Sequence, residues 1–565
     1  MADFDVIVVG SGMSGGWVAK ELCERGFKVA VIERGRNTDP LKDYKDHVDP
    51  WDTPNLDRTT PEDRKKHPIQ SEVYAYNQNT KHWWVDDNEH PYITPEGQTY
   101  RWRRGYHKGG RSIMWARQSY RFSEIDFEAN KKEGVAIDWP VRYADLKPWY
   151  DHVEKFAGIS GSMEGLDILP DGVFQPPFEF TAAEKVFKER VEKAFPGRKV
   201  IPGRCAHLTA PTEEQMALGR GKCQSRSLCE RGCSFGAYFS SMSATLPAAE
   251  RTGNLTMITD MAVQKLDYDP ETKRISGVKA VDIKTRATKT FTSRLVFLNA
   301  GTIPTTMILL NSANDAFPNG LANSSGQLGR NLMDHIGCAG ASATMTGMMD
   351  RYHKGRRPNG FYIPRFRNHT EEGEGFSRGY GYQGRIYRYS NANHYGAGIG
   401  KDYKEGNKIP GPWAFSLIAF AEVLPDERNR ITLHETKTDR WGFPVPVIDA
   451  KNRENELGLV KQATRDAIAM MEAAGMTNIR ADDPENPHVA APGNGIHEMG
   501  TARMGHDPKT SVLNKFNQSW DIPNLFITDG SFMTSAACQN PSLTYMAFSA
   551  RAADNAAKML KAGEI

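Results

Sequence analysis

Three groups of residues in this chain have types and spacings that could do chemistry. The first is Gly10-Ser11-Gly12-Met13-Ser14-Gly15, followed at the end of the next apolar run by Glu33 and Arg34. Glycines at 10, 12 and 15 suit, in that order, a tight turn, a close approach of backbone to a pyrophosphate, and close packing of a helix on a strand. The N–H groups that open such a helix, Ser14 among them, face phosphate charge. Glu33 can accept hydrogen bonds from a ribose diol. This fingerprint alone does not choose between FAD and NAD. The second group is Cys223, Cys229 and Cys233, separated by five and then three residues. Thiolates are soft ligands that suit zinc or iron–sulfur centres. A structural zinc ion wants a fourth ligand, which His207 or Cys205 could supply. Three thiolates suffice for a three-iron cluster, one per iron, and free or disulfide-bonded thiols are the third reading. The last group is basic and broken by glycines: Arg101, Arg103, Arg104, Lys108 and Arg111 around Gly105, Gly109 and Gly110. It could be an anion site or a solvated face.

The elements around these groups predict an α/β architecture. Asp5–Val9 is an apolar β run, WVAKELCERG has helical period, and KVAVIERG is a second strand ending on Glu33. That order is strand, glycine turn, helix, strand, acidic residue. Residues 37–100 are polar, proline-containing and carry Trp83-Trp84; a loop of that length covers something, contacts a partner or is an insertion. Residues 138–158 read as an amphipathic helix. Residues 254–268 read as a bent strand, 277–283 as another, and 293–301 as an apolar strand that returns to the first sheet. Residues 340–440 are aromatic and β-branched with partial alternation, through GYGYQGRIYRYS, PWAFSLIAFAEVLP and NRITLHE, and predict a mainly antiparallel sheet. Helices are expected over 453–475 and from 541 to 558. The expected division is a Rossmann-type domain over 1–340, holding the 37–100 insertion and the 205–240 cysteine segment. A second, substrate domain follows over 341–485, with a return to the first over 486–565. Glu422 either touches substrate or pairs with Arg430. Cys23 is expected to be a buried thiol.

Composition narrows the classes. Lys+Arg 72 against Asp+Glu 69 gives no electrostatic case for nucleic acid as a partner. Seven cysteines, an odd number, make no secreted disulfide framework. The first strand begins within a few residues of Met1, so no signal peptide is expected. The sequence holds no run of 18 apolar residues, so no transmembrane segment is expected.

Five further motifs, taken with the fingerprint, carry a resemblance. They are Gly109-Gly110-Arg111-Ser112, Gly329-Arg330-Asn331-Leu332-Met333-Asp334-His335 and His497-Glu498-Met499-Gly500-Thr501-Ala502-Arg503-Met504-Gly505. The last two are Asn524-Leu525-Phe526-Ile527-Thr528-Asp529-Gly530-Ser531 and Asn540-Pro541-Ser542-Leu543-Thr544. Together they resemble the glucose–methanol–choline (GMC) oxidoreductase family over nearly all of the chain. The resemblance implies the GMC fold and FAD, with Gly109, Gly110, Ser112, Val263, Asp529, Gly530 and Pro541 near the cofactor. It implies His497 as the catalytic base and Asn540 as its polar partner, with His335 structural. The chemistry agrees. Alcohol oxidation removes a proton from oxygen and a hydride from carbon. A neutral imidazole, with an ordinary pKa of about 6.5, takes the proton; an amide orients the hydroxyl without competing for it; the flavin takes the hydride. Some sugar-oxidising members attach flavin to a histidine just after the double glycine. Here Met114 stands there, followed by Trp115, which implies non-covalent FAD.

The cysteine run, followed by Gly236-Ala237, resembles that of bacterial membrane-linked sugar dehydrogenases, although it lacks an adjacent cysteine pair at Cys223 and has Ser234 in place of a common proline. That branch implies a [3Fe-4S] cluster on Cys223, Cys229 and Cys233. It implies a small exported partner subunit, and cytochrome c or a similar electron acceptor. The implied place is the periplasm or the periplasmic face of the inner membrane, reached through the partner's signal, with the cytoplasm as the alternative. The layout also resembles glucoside 3-dehydrogenases, which oxidise C3 of glucosides and disaccharides to the 3-keto sugar. Pyranose oxidases and gluconate dehydrogenase large subunits are further resemblances. They give as alternatives an oxidase that uses O2 and a gluconate 2-dehydrogenase-like or assembly-dependent flavoprotein subunit.

Overall fold

The computed structural model describes residues 2–337, 339–351, 358–390 and 399–565. Its first sheet is five-stranded and parallel, in the order Leu525–Ile527, Ser293–Leu298, Phe4–Val9, Val29–Ile32, Leu255–Ile258. Val6 to Val9 and Val29 to Ile32 are buried. Strands covered on both faces by other layers can be apolar throughout, which is why these segments do not alternate. One cover is a helical layer of Met13–Glu24, Tyr143–Ala157 and Ser542–Ala562. Polar contacts knit it: His152 Nε2 lies 2.7 Å from Glu21, and Arg25 pairs with Asp554 at 3.1 Å. Cys23 is buried here, and burial raises its thiol to about 12.

A seven-stranded antiparallel sheet is the second large layer. Its spine pairs Pro410–Glu422 with Tyr380–Ser390 on one side and Gly340–Met345 on the other, and His335–Ile336 also pairs with Pro410–Glu422. Thr477–Ala481 closes one edge; Phe361–Ile363 and Ile201–Pro202 close the other. Helices Ala182–Ala194 and Glu454–Ala473 pack on one face through Phe187, Leu459, Ala463 and Met470. Side chains alternate along a strand. Tyr382 therefore turns to that helical face, where its hydroxyl donates to the carbonyl of Ala463 at 2.5 Å, while Gln383 and Arg385 line the central cavity.

Three sequence expectations need adjusting. Residues 254–268 are two strands, not one bent strand: Leu255–Ile258 joins the parallel sheet, and Met261–Asp269 opens an antiparallel meander with Arg274–Asp282 and Thr288–Phe291. NRITLHE forms a separate hairpin, Arg430–Thr438 with Pro444–Asp449, that packs against the helix Thr302–Asn311. Alternation marks a strand but does not say which sheet will pair with it. Glu422 neither lines the cavity nor meets Arg430. It is buried 3.8 Å from Arg378, while Arg430 reaches Asp449. Among the described residues no helix is long and apolar enough to cross a membrane.

Candidate active site

One long cavity runs from the C-terminal ends of the parallel strands to the inner face of the antiparallel sheet. Gly10, Gly12, Ser14, Glu33 and Arg34 line one end. Gly10 sits at φ +97, and a Cβ there would meet the Asn299 carbonyl oxygen at 2.4 Å. Gly15 lies behind the lining, where a Cβ would fall 1.9 Å from the Gly10 carbonyl oxygen; this contact lets the helix start close to the strand. A Cβ on Gly12 meets nothing, because it would project into the open cavity. The helix beginning at Met13 has no side-chain cap, so its first N–H groups are left for a ligand. Glu33 accepts from Ser11 N and Oγ at 3.0 and 2.6 Å and from Gly35 N at 2.8 Å, and burial raises its pKa against those bonds. Beyond it, Arg34 is boxed by the rings of Tyr106, Trp441 and Phe443, with its centre 4.6–5.3 Å from theirs, and touches His90 Nδ1 at 3.2 Å. His90 in turn stacks on Trp441.

The middle of the cavity carries Gly110, Ser112, Met114, Trp115, Val263, Asp529, Gly530 and Pro541. Gly109 lies just behind it, donating from its N–H to Ser11 Oγ at 2.9 Å, which ties the two glycine loops together. Asp529 is buried, which raises its pKa, and its oxygens accept from Gly301 N, Thr305 Oγ, Ser531 N and Ser531 Oγ. A narrow cleft with open backbone N–H groups, a place at Gly12 that a side chain would fill, and a carboxylate for a ribose fits a dinucleotide of FAD's kind. His497 is the one histidine among the described lining residues, and Met114 stands in the wall.

His497 and Asn540 come together at the far end, His497 Nε2 lying 3.4 Å from Asn540 Nδ2. The sequence reading gives His335 a structural role; the structure puts its ring on the base. His335 Nε2 is 2.7 Å from the Ala537 carbonyl oxygen, and His335 Nδ1 is 2.8 Å from His497 Nδ1. A carbonyl only accepts, so His335 Nε2 carries a proton. Burial lowers His335 to about 4 and keeps it neutral, so its Nδ1 must accept. His497 Nδ1 therefore holds the hydrogen of that bond, and His497 Nε2 is left as a bare lone pair facing the cavity. Burial, His335 and the Arg111 cation hold the His497 pKa well below the ordinary value. Arg111 forms a two-pronged pair with Glu498, Nη1 to Oε1 at 3.2 Å and Nη2 to Oε2 at 2.7 Å. Asp334 anchors the strand behind, accepting from the N–H groups of His335, Gly495 and His497 at 2.7–3.0 Å; burial and Glu498 push its pKa to about 7 against those bonds. His335 and Asp334 could have been suspected only from the motif they share, because 162 positions separate the two imidazoles.

Cys223, Cys229 and Cys233 are free, half-buried thiols on one segment, and no disulfide occurs among the described cysteines. Burial raises Cys223, and it raises Cys229 to about 11; the neighbouring thiols add to both shifts, and the Arg117 guanidinium opposes them. Arg117 also lines the cavity, so one guanidinium borders the cavity and acts electrostatically on the thiols. Among the described residues no three His, Cys, Asp or Glu side chains converge to hold a single ion, so the zinc reading fails, and with it a ligand role for His207 or Cys205. Among the described residues Cys223, Cys229 and Cys233 are likewise not gathered into a metal-binding group.

A parallel nucleotide-binding sheet, a cleft that accepts FAD, and an imidazole with a bare nitrogen at the cleft's end define an FAD-dependent oxidoreductase acting on CH–OH groups. The comparisons carry this to the family. The chain matches the GMC oxidoreductase profiles over residues 4–337 and 425–549, and it belongs to that family. It is 30% identical to 2-methyl-1,2-propanediol dehydrogenase of Mycolicibacterium austroafricanum, over 97% of this chain and 94% of that one. It is 28% identical to the fructose dehydrogenase large subunit of Gluconobacter japonicus, over 99% and 98%. Pyridoxine 4-oxidase from Mesorbium loti shares the fold, with a TM-score of 0.60 and 17% identity over 98% of this chain and 99% of that one.

Proposed function

We propose that this chain is a sugar dehydrogenase that oxidises a ring secondary hydroxyl, C3 of a glucoside or disaccharide, to the 3-keto sugar. The observation that carries the reading is the bare Nε2 of His497 beside Asn540. A hydroxyl seated there accepts from the Asn540 amide and gives its proton to His497 Nε2. FAD, when bound, supplies the hydride acceptor at N5. Arg385 lines this end as a partner for other hydroxyls, and Phe420, its ring 5.9 Å from that of His497, offers a face for sugar C–H groups. The similarity to a fructose dehydrogenase large subunit supports a sugar over a simple alcohol; the similarity to a diol dehydrogenase supports vicinal hydroxyls in either. FAD is held without a covalent bond, since Met114 stands where a histidyl link to the ring would need histidine.

Cys223, Cys229 and Cys233 would hold a [3Fe-4S] cluster, which supplies a one-electron route from the flavin to an outside acceptor such as a cytochrome c on a partner subunit. That Arg117 both lines the cavity and acts electrostatically on Cys229 supports that route. Delivery to the periplasm through a partner's signal is part of the same reading. The test is iron and acid-labile sulfide per flavin on anaerobically purified protein, with anaerobic flavin reduction by methyl α-D-glucopyranoside, D-glucose, D-fructose and D-gluconate. About three irons per FAD and reduction by the glucoside are expected. No iron, with peroxide formed in air, moves the reading to a pyranose-type oxidase; reduction by gluconate alone moves it to a gluconate 2-dehydrogenase. His497→Ala should slow flavin reduction by about 10²-fold or more with FAD retained, and an unchanged rate removes the base assignment.

A further inference from the structure

The hydrogen bonds at Asn540 do not stop at His497. Asn540 Oδ1 accepts from Gln383 Nε2 at 2.8 Å. Gln383 Oε1 accepts from Gln118 Nε2 at 3.0 Å, and Gln118 Oε1 accepts from the Tyr120 hydroxyl at 2.7 Å. Tyr120, Gln118, Gln383 and Asn540 are all buried, none more than 6% exposed. They come from three distant parts of the chain: the segment after the second glycine loop, the antiparallel sheet, and the turn before the last helix. We propose that Gln118 and Gln383 are positioning residues that lock the Asn540 amide with its NH2 toward His497, as links in a one-way hydrogen-bond chain running from the Ala537 carbonyl to the Tyr120 phenol.

The direction is forced from one end. An amide's oxygen and nitrogen are interchangeable in outline, so each link alone could run either way. The Ala537 carbonyl cannot. It fixes the proton on His335 Nε2, which fixes the hydrogen on His497 Nδ1, which leaves His497 Nε2 bare. A bare nitrogen calls for a donor, so Asn540 presents Nδ2 and keeps Oδ1 for Gln383. The same step then repeats through Gln118 to Tyr120, a hydroxyl able to end the chain by donating. Running the chain backwards would set the lone pair of His335 Nε2 against the lone pairs of Ala537 at 2.7 Å, or would require a charged imidazolium at a buried site. Tyr120 is itself held by stacking on Tyr362, with centroids 4.0 Å apart and planes 21° apart. In a buried chain each bond polarises the next, so the whole is stiffer than its links.

The consequence is a second way to lose the base. If the chain is cut, the Asn540 amide can turn and show its carbonyl to His497. That carbonyl stabilises a hydrogen on Nε2; because Nδ1 keeps the hydrogen it gives to His335, the ring is then drawn toward the imidazolium, which has no lone pair left for the hydroxyl. The proposal rests on His497 being the base, so its test reads the protonation of Nε2 directly. In holoenzyme labelled with 15N-histidine, the Nε2 signal is identified by its loss in His497→Ala. Wild type should show an unprotonated Nε2. Gln383→Leu and Gln118→Leu should each shift that signal toward the protonated position and slow anaerobic flavin reduction by methyl α-D-glucopyranoside by about tenfold to a hundredfold, with KM and FAD content little changed. Gln118→Leu/Gln383→Leu should be no slower than Gln383→Leu, because one cut already breaks the chain; losses that multiply overturn the proposal. An unmoved Nε2 signal in both single variants also overturns it. Tyr120→Phe keeps the stacked ring and removes only the last donor. It should move the same signal the same way by a smaller amount, and it decides the matter if the leucine variants do not fold. A glucoside that fails to reduce the flavin refutes the substrate reading and leaves the Nε2 measurement standing.

Discussion

His497 works with an imidazole that is hard to protonate, and that sets its pH behaviour. Burial, His335 and Arg111 lower its pKa. The working form is the neutral one, so activity is present above the folded pKa and lost as pH falls through it. The acid limb of kcat/KM is therefore expected below the ordinary histidine range of about 6.5. Arg111→Gln removes a nearby cation and releases the Glu498 carboxylate, and both changes favour the imidazolium. The acid limb should move to higher pH in that variant, and a pH–rate profile that stays in place would refute the role given to Arg111. At this scale the sequence shows half of the site. His497 and Asn540 stand out through their motifs. Gln118 and Gln383 do not, and His335 stands in a motif that says nothing of its part, because what makes these residues matter is where one nitrogen points relative to another, across separations of 157 to 265 residues. Nothing in residue type or spacing records a tautomer.

At the scale of elements, the first turn is almost fully legible, because a glycine fingerprint is a local constraint. Gly15 and Gly12 can be told apart by what surrounds them. Gly15→Ala drives a methyl into the Gly10 carbonyl, and the turn has no room to yield; a large loss of thermal stability is expected, of the several-kcal/mol kind that overpacking brings. Gly12→Ala meets no protein atom. That variant should melt near the wild-type apoprotein yet bind FAD weakly, because its methyl occupies the pyrophosphate's place. Thermal melts with and without added FAD separate the two, and equal behaviour of both variants would count against the assignment. Arg430–Thr438 is legible as a strand through NRITLHE, but its separate pairing with Pro444–Asp449 is not, since alternation reports that one face is covered and not by what. Its partner surface is the helix Thr302–Asn311, brought there by the whole topology.

The whole molecule is two sheets facing one cavity, and what fills the cavity should hold them together. A ligand bound only by the folded state stabilises it by about 2.7 kcal/mol at a hundredfold excess over its Kd. The melting temperature of the holoprotein is therefore expected to rise with free FAD, and acid precipitation should release unmodified FAD into the supernatant. Flavin that stays with the precipitate would show a covalent bond and overturn the reading of Met114. The sequence made the two-layer plan legible, because the parallel strands are apolar throughout and the antiparallel ones alternate. It did not show the single cavity between them, which exists only once Gln383 and Phe420 of one layer face Gly12 and Gly530 of the other.

The box around Arg34 bears on how long a flavin stays. Its parts come from four places: Arg34 from just past the second strand, His90 from the long insertion, Tyr106 from the basic glycine segment after it, and Trp441 and Phe443 from the hairpin. Together they roof the end of the cleft beyond Glu33, where the adenine end of a bound FAD would lie. A flavin seated beneath these rings would be screened from water at that end, so Trp441→Ala is expected to show itself first as faster flavin loss on gel filtration.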